Sequence, residues 1–170
     1  MTLLDIIRKR YSCRAYQQKP IKQEKLDKIF EAARLAPSAR NTQDWRFVVV
    51  VDEKIKHDLA QATNRPDAFE KAGAIIAACS NSDHIMRCGQ PIAPIDISIA
   101  LEHIALQAAE IGLATCWIGS FDTEKVRTVL AIPDDIQIIE LMALGYPDDK
   151  PKKAVREPVE NIVCYDMWKF

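Results

Sequence analysis

Glycine is scarce in this chain, and the common phosphate-binding and hydrolase motifs are missing. Only five glycines occur in 170 residues, and the sequence contains no GxxxxGK[ST], GxGxxG, GxSxG or HExxH. Nucleotide binding through a glycine-rich turn is therefore disfavoured. His57, His84 and His103 are scattered and have no sequence neighbour that makes a catalytic dyad. We therefore assign no catalytic acid, base or nucleophile.

Neither sign of charge predominates. Lys and Arg number 23 against 24 Asp and Glu, which gives a formal net charge of -1. This balance offers no electrostatic case for a nucleic acid or an anionic membrane as partner. No stretch approaches the roughly 20 apolar residues that span a bilayer, and the N-terminal charges follow the apolar segment, the reverse of a signal peptide. We expect a cytoplasmic protein.

Cysteine pairs with regular spacing are also missing. The five cysteines form no CxxC, and their odd number disfavours a secreted disulfide framework. Cys79, His84 and Cys88 lack a convincing fourth ligand, so we predict no metal site. A length of 170 residues with 48% hydrophobic content suits one domain with a sizeable core. We expect a single domain over residues 1–170.

Apolar residues at helical spacing predict several helices. Thr2 and Asp5 can form the capping box of the first one. A long apolar segment ends at Gly112, a suitable residue for a left-handed cap, and should form a central buried helix. The predicted helices follow Thr2, span about residues 22–36, 55–59 and 96–111, and follow Asp122.

Short apolar runs predict four strands, at residues 47–51, 74–79, 113–119 and 136–145. The first two runs are continuous, which is typical of strands covered on both faces. By itself, the alternation of helices and strands favours a parallel sheet. Residues 80–94 contain two prolines and a glycine and are predicted to form an irregular loop.

The last segment, residues 146–170, is mostly polar but ends in apolar side chains that are costly to leave in water. Two arrangements stay open from the residues alone. The segment forms an extended arm that packs on another surface, or it packs back on its own core.

Arg10, Ser12 and Arg14 lie close together at the end of the first helix. Two fixed cations and a hydroxyl suit a phosphate group. Cations at a helix C-terminus also simply complement the helix dipole, so this cluster alone does not decide between the two roles.

Two further polar clusters follow predicted elements. Ser38, Asn41 and Gln43 offer hydroxyl and amide groups that both donate and accept hydrogen bonds, as a flat polar heterocycle requires. Gly119, at the end of the third strand, permits a close approach of the backbone to a ligand. An ordinary strand-to-helix turn explains this glycine equally well.

Four segments resemble, in chain order, the signatures of the nitroreductase family of FMN-dependent oxidoreductases. They read RKRYSCRAY, APSARNTQDW, GLATCWIGSF and LGYPDDKPKKAVREPVENIV. The likeness runs from Leu3 to about Val163. Each signature is weak alone, but four in the right order are specific.

The resemblance implies which residues bind FMN. The first segment would serve the phosphate, the ribityl chain and the pyrimidine edge, and the second would reach the flavin from the other subunit. The third would lie beside the reactive N5 edge. Asp44 replaces the usual proline of the second segment, and Ala154 replaces a lysine of the fourth. The implied cofactor-binding residues are Arg10, Tyr11, Ser12, Arg14, Pro37, Ser38, Ala39, Asn41, Ile118, Gly119, Ser120, Lys153 and Arg156.

The resemblance also implies an α+β fold, a three-layer α/β/α sandwich with a central, mostly antiparallel sheet, which overrules the parallel sheet suggested by the alternation. It implies an intertwined homodimer with FMN at the subunit interface and with residues 146–170 as an arm that packs on the partner subunit.

The implied activity is transfer of hydride from NADH or NADPH to FMN, followed by reduction of a small flat acceptor of nitroaromatic or quinone type in a ping-pong scheme. The loop of residues 80–94 would rim the acceptor pocket. A flavin-sensing module without nicotinamide turnover, and a family member with a specialised anabolic or dehalogenating substrate, are the alternatives.

Overall fold

The computed structural model describes residues 2–152 and 154–170, and it places helices on both faces of one four-stranded sheet. Short 3₁₀ turns occur at Ala39–Asn41 and Val159–Asn161. The helices are α1 (Leu3–Lys9), α2 (Gln23–Arg34), α3 (Glu53–Ala60), α4 (Pro66–Phe69), α5 (Ile92–Glu110) and α6 (Thr123–Leu130). The strands are β1 (Trp45–Val50), β2 (Ala74–Ser80), β3 (Ala114–Ile118) and β4 (Gln137–Gly145).

The sheet has the strand order β1-β2-β4-β3, and every neighbouring pair is antiparallel. The antiparallel sheet implied by the family resemblance is confirmed, and the parallel sheet suggested by the alternation is wrong. β1 and β2 are joined through α3 and α4, yet they pair antiparallel. A helical connection permits either strand direction, so alternation alone does not fix it.

How deeply β1 and β2 are buried depends on whether they lie at the centre or at the edge of the sheet. The central strand β2 is buried along its whole length, as its continuous apolar run predicts. β1 is an edge strand whose side chains alternate between half-buried and exposed, and Val48 is 36% exposed. The prediction that both faces of β1 are covered is therefore wrong, because a β-branched apolar run also suits an edge strand with one covered face.

Two hydrophobic layers sandwich the sheet. Alternate residues of a strand point to opposite faces, so Leu141 of β4 packs toward α3, α4 and α6. Its neighbour Met142 packs toward α2 and α5. The molecule is therefore a three-layer α/β/α sandwich, with residues of β2 and β4 contributing to both layers.

The ends of the helices follow local capping chemistry. The capping box of Thr2 and Asp5 is present, and Asp122 accepts a hydrogen bond from the Lys125 backbone N–H. Gly112 has a φ of +78°, a conformation that glycine adopts without strain. α5 begins at Ile92, earlier than predicted, because Pro94 falls in its first turn, where a missing N–H costs no hydrogen bond.

α5 is long and apolar enough to cross a membrane by length and composition alone, contrary to the expectation that no stretch approaches this limit. A core helix passes the same test, and 56% of its most apolar window is buried inside the protein. We therefore describe α5 as the central helix of the layer that also contains α2.

The first part of the C-terminal segment packs on the chain's own core, and the rest is exposed. The Asp148 N–H donates to the Ala15 carbonyl at 2.8 Å, and the Gln17 N–H donates to the Tyr146 carbonyl at 2.9 Å. Farther along, Trp168 is 82% exposed. The exposed apolar side chains of this segment are Val155, Val159, Ile162, Val163, Tyr165, Met167, Trp168 and Phe170.

Candidate functional site

The segment after α1 lies along the outer side of β3. Ser12 forms an isolated parallel bridge with Thr115, and the Cys13 N–H donates to the Thr115 carbonyl at 2.9 Å. β3 is an edge strand, so its free backbone groups are available for this pairing. The Arg-x-Ser-x-Arg cluster is thereby fixed to the sheet although it belongs to no regular element.

Asp149 holds the same segment from the C-terminal side. Its carboxylate accepts hydrogen bonds from the Tyr11 hydroxyl at 2.8 Å, the Cys13 thiol at 3.2 Å and the Arg14 N–H at 2.8 Å. Burial raises the pKa of Asp149, but these hydrogen bonds outweigh burial and hold the pKa below its usual value. We call Asp149, Tyr11, Cys13 and Arg14 the Asp149 clasp.

The Cys13 thiol of the Asp149 clasp is expected to be unreactive. Burial, followed by the hydrogen bond with Asp149, raises the pKa of Cys13 to about 11. The thiolate is the reactive form of cysteine, and it is scarce near neutral pH at such a pKa. Burial likewise raises the pKa of Cys79 to about 11. Both side chains belong to the hydrophobic core, Cys13 also donates to Asp149, and neither is a candidate nucleophile.

The two arginines of the segment keep most of their donors available. The Arg10 Nε lies 3.5 Å from the Glu102 Oε1, and the Arg14 Nη1 lies 3.3 Å from the Ser12 carbonyl oxygen. These contacts are long for charge-assisted hydrogen bonds and use few of the five N–H donors of each guanidinium. Both side chains can therefore bind a further anionic group.

The second polar cluster is a strained loop held by α5. The buried carboxylate of Asp96 accepts the Ala39 N–H at 3.0 and 3.1 Å, and the Ser38 Oγ accepts the Gln43 N–H at 3.1 Å. Arg40 and Asn41 have φ values of 54° and 57°. Such a conformation costs a non-glycine residue about 1–3 kcal/mol and is common at functional sites.

The third cluster lies at the far end of β3. Ile118 is buried, whereas Gly119 and Ser120 are exposed. A Cβ atom at Gly119 would lie 3.5 Å from the Oε1 of Glu140. This Oε1 is buried and has no hydrogen-bond partner among the residues that the structure describes. The exposed Gly119, at the end of β3, thus lies beside the carboxyl group of Glu140.

The predicted site residues form separate groups within one chain. Thr115, paired with Ser12, and Gly119 are four residues apart on one extended run, or about 13 Å. One elongated ligand can therefore reach both ends of β3. Within residues 2–152 and 154–170, no hydrogen bond or ion pair joins residues 37–43 to residues 10–14 or 118–120. Arg156 is exposed and donates to the Val155 carbonyl at 3.2 Å. The predicted Lys153 lies outside the described residues.

Three acidic residues of the site were missed in the sequence. Asp149 lies in the family-like tail segment, and that position was the available signal. Asp96 and Glu140 lie inside an apolar helix and an apolar strand, where a charged residue is unusual and for that reason informative. Within the described part of the chain, no group of three or more His, Cys, Asp or Glu side chains is placed to hold a metal ion.

Comparison with known proteins matches the chain to the model described as Nitroreductase family, over residues 7–66 and 60–146. A relative from Archaeoglobus fulgidus, provisionally named NADH dehydrogenase/NAD(P)H nitroreductase, is 33% identical over 86% of each chain. A nitroreductase family protein from Clostridium difficile 630 is 32% identical, with a TM-score of 0.88 over 99% of this chain and 100% of its own. An FMN-dependent nitroreductase from Clostridium difficile R20291 is 29% identical, with a TM-score of 0.82 over 97% of this chain and 98% of its own.

Proposed function

The chain belongs to the nitroreductase family, and we propose that it is an FMN-dependent oxidoreductase that takes hydride from NADH or NADPH and reduces a small flat acceptor. We propose nitroaromatic or quinone compounds as the acceptor class and a ping-pong scheme in which donor and acceptor use the same site in turn. The family and its named relatives support the general activity, that of an oxidoreductase linked to NAD(P)H.

The observation that carries the proposal is the placement of Arg10, Ser12 and Arg14. The bridge to Thr115 and the Asp149 clasp fix the backbone of this segment at both sides, and the guanidinium donors keep capacity for an anion. Fixed donors bind a phosphate without a further loss of backbone entropy, which favours affinity. The donor set therefore suits the phosphate of FMN.

The hydride chemistry is that of FMN when it is bound. In this proposal Arg10, Ser12 and Arg14 bind the phosphate, the ribityl chain and the pyrimidine edge. The exposed backbone at Gly119 and Ser120 lets the flavin ring approach the end of β3 closely. Fixed cations near the flavin stabilise negative charge that develops on reduction. Tyr11, Pro37, Ser38, Ala39, Asn41, Ile118, Lys153 and Arg156 complete the proposed cofactor site.

A homodimer is part of the proposal. The exposed apolar side chains of the C-terminal segment and of α1 are a large surface to leave in water. We propose that residues 146–170 pack on the partner subunit and that residues 37–43 contribute to the partner's flavin site. This arrangement explains why no polar contact joins that loop to residues 10–14 of its own chain. We also propose one domain and a cytoplasmic location. We further propose that the segment of residues 80–94, of which residues 81–91 form the loop between β2 and α5, rims the acceptor pocket.

Kinetics and cofactor content test the proposal together. Reconstituted protein should bind FMN, and varying donor and acceptor should give parallel lines in double-reciprocal plots. Intersecting lines would refute the ping-pong scheme. Protein that binds FMN but shows no nicotinamide turnover would be a sensing module, and protein that binds none would contradict the cofactor assignment.

A further inference from the structure

Glu140 is a half-buried acidic residue of β4. Its Oε1 is inaccessible to solvent and unpaired among the described residues. Buried polar atoms are nearly always hydrogen-bonded, because an unpaired one destabilises the folded state. Glu140 lies opposite Ala78 of β2, next to a register shift between Ala78 and Cys79. β-bulges of this kind redirect side chains and are common near active sites.

The surroundings of Glu140 leave its carboxyl group without a charged neighbour. Its row across the sheet contains Phe47, Ala78 and Gly119, all uncharged. Met142 follows it by two residues on the same face of β4 and packs toward α2 and α5. The titratable residues of α5 are Asp96, Glu102, His103 and Glu110, and they already contact the Ala39 N–H, Arg10, the Ala32 carbonyl and Gln107, respectively.

The proton affinity of this carboxyl group is set by its environment. Burial raises the pKa of Glu140, and the backbone N–H groups of Leu141 and Ile118 oppose this rise. The side chain as a whole remains partly exposed, so protons can exchange with solvent. Negative charge that arrives near Gly119 disfavours a second negative charge on the carboxylate, which raises its proton affinity further.

We propose that Glu140 holds the proton that accompanies electron transfer at this strand end, an inference that rests on the proposed function. NADH or NADPH supplies two electrons and one proton as hydride, and the Glu140 carboxylate takes up the second proton as H⁺ from the solvent. When a quinone-type acceptor takes the hydride, the O–H bond of Glu140 breaks and its proton goes to the acceptor oxygen. The acceptor gains two electrons and two protons, and Glu140 returns to the carboxylate.

Glu140→Gln tests the proposal, because the amide has the same shape and cannot exchange this proton. Glu24→Gln, on the exposed face of α2, is the matched control. The readout is the midpoint potential of bound FMN as a function of pH. For a two-electron couple, a tenfold change in the equilibrium constant is about 30 mV, so each coupled proton adds about 30 mV per pH unit. Over the pH range in which Glu140 titrates, the midpoint potential of the wild type and of E24Q should fall with pH more steeply than that of E140Q, by the slope of one coupled proton.

Two further readouts separate this role from a structural one. In wild-type protein without cofactor, ¹³C NMR of glutamate carboxyls should show a signal that titrates above the ordinary value of 4.5 and is missing in E140Q. With cofactor, E140Q should keep its rate of reduction by NADH or NADPH and lose about tenfold or more in its rate of reoxidation by a quinone. If E140Q does not fold, Glu140→Met removes the buried charge and keeps the volume.

The outcomes distinguish this inference from the proposed function. If wild type and variant bind FMN and their potentials have the same pH slope, the family function stands and the role of Glu140 is overturned. If neither the wild type nor E140Q binds FMN, the proposed function is wrong, and the proposed role of Glu140 is wrong as well. A lower slope in E140Q together with slow reoxidation supports the inference.

Discussion

Replacing Asp149 by Asn keeps the shape of the side chain and changes its hydrogen-bonding capacity, so the variant tests the hydrogen bonds of the Asp149 clasp. One side-chain oxygen remains to accept from Tyr11 and Cys13, but the new amide NH₂ faces the Arg14 N–H, where a carboxylate oxygen accepted at 2.8 Å. A donor then opposes a donor. The variant tests whether the clasp fixes the Arg10–Arg14 segment on β3.

The expected loss of stability follows from the contact that is removed. A hydrogen bond to a charged group contributes about 1.5–3 kcal/mol, and partial solvent exposure of Asp149 favours the lower end, about 2 kcal/mol. For a chain of 170 residues this corresponds to a decrease in Tm of about 4–8 °C. The folded pKa of Asp149 lies below its ordinary value of 3.8. Its stabilisation is thus present above pH 3.8 and is lost as the pH falls through the folded pKa.

Thermal unfolding followed by circular dichroism at pH 7 and near pH 3 provides the assay. Asp148→Asn is the matched control, because the Asp148 side chain is exposed and its contact to the Ala15 carbonyl is made by the backbone N–H. D149N should have a lower Tm than D148N at pH 7, and the difference in Tm should shrink at low pH. Equal Tm values for the two variants, or a gap in Tm that is independent of pH, would show that the Asp149 carboxylate does not stabilise the fold through these hydrogen bonds.

Other substitutions test the cofactor site, the loop of residues 37–43 and the carboxyl group of Glu140. Arg10→Ala combined with Ser12→Ala removes contacts of about 1.5–3 kcal/mol each, so FMN retention after dialysis should fall by at least tenfold; undiminished flavin absorbance would contradict the assignment. Arg40→Gly relieves a φ of 54° and should raise the free energy of unfolding in urea by about 0.5–1 kcal/mol, whereas a decrease would show that the side chain of Arg40 stabilises the loop. The raised pKa of Glu140 adds stability that is fully present below pH 4.5 and is lost as the pH rises through the folded pKa. At pH 8 the free energy of unfolding of Glu140→Gln should therefore be higher than that of the wild type, and a difference that persists unchanged below pH 4.5 would count against this cause.

Elements with a clear local signal could be predicted from the sequence. The capping box of Thr2 and the left-handed Gly112 each act over a few residues, so local chemistry decides them. The four strands were found for the same reason. Their direction and coverage depend on contacts between distant segments, which explains the wrong prediction for β1 and for a parallel sheet. The four-residue helix α4 is too short for a period to show.

The candidate site divides in the same way. Arg10, Ser12 and Arg14 are recognisable because their spacing and residue types are local. Asp149 lies 135 residues from Arg14 in the sequence, and nothing in either local pattern indicates their hydrogen bond. The proximity of Glu140 to Gly119 likewise depends on the register of β3 and β4. Only the fold shows which acidic residues support the predicted binding residues.

The most direct test of the proposed oxidoreductase activity is the visible absorption of the FMN-loaded protein when NADH or NADPH is added in the absence of oxygen. We predict that the flavin bands bleach within the time of a turnover and return when a quinone or nitroaromatic acceptor is added. Flavin that is bound but stays oxidised in the presence of both nicotinamide donors would contradict the proposed enzyme.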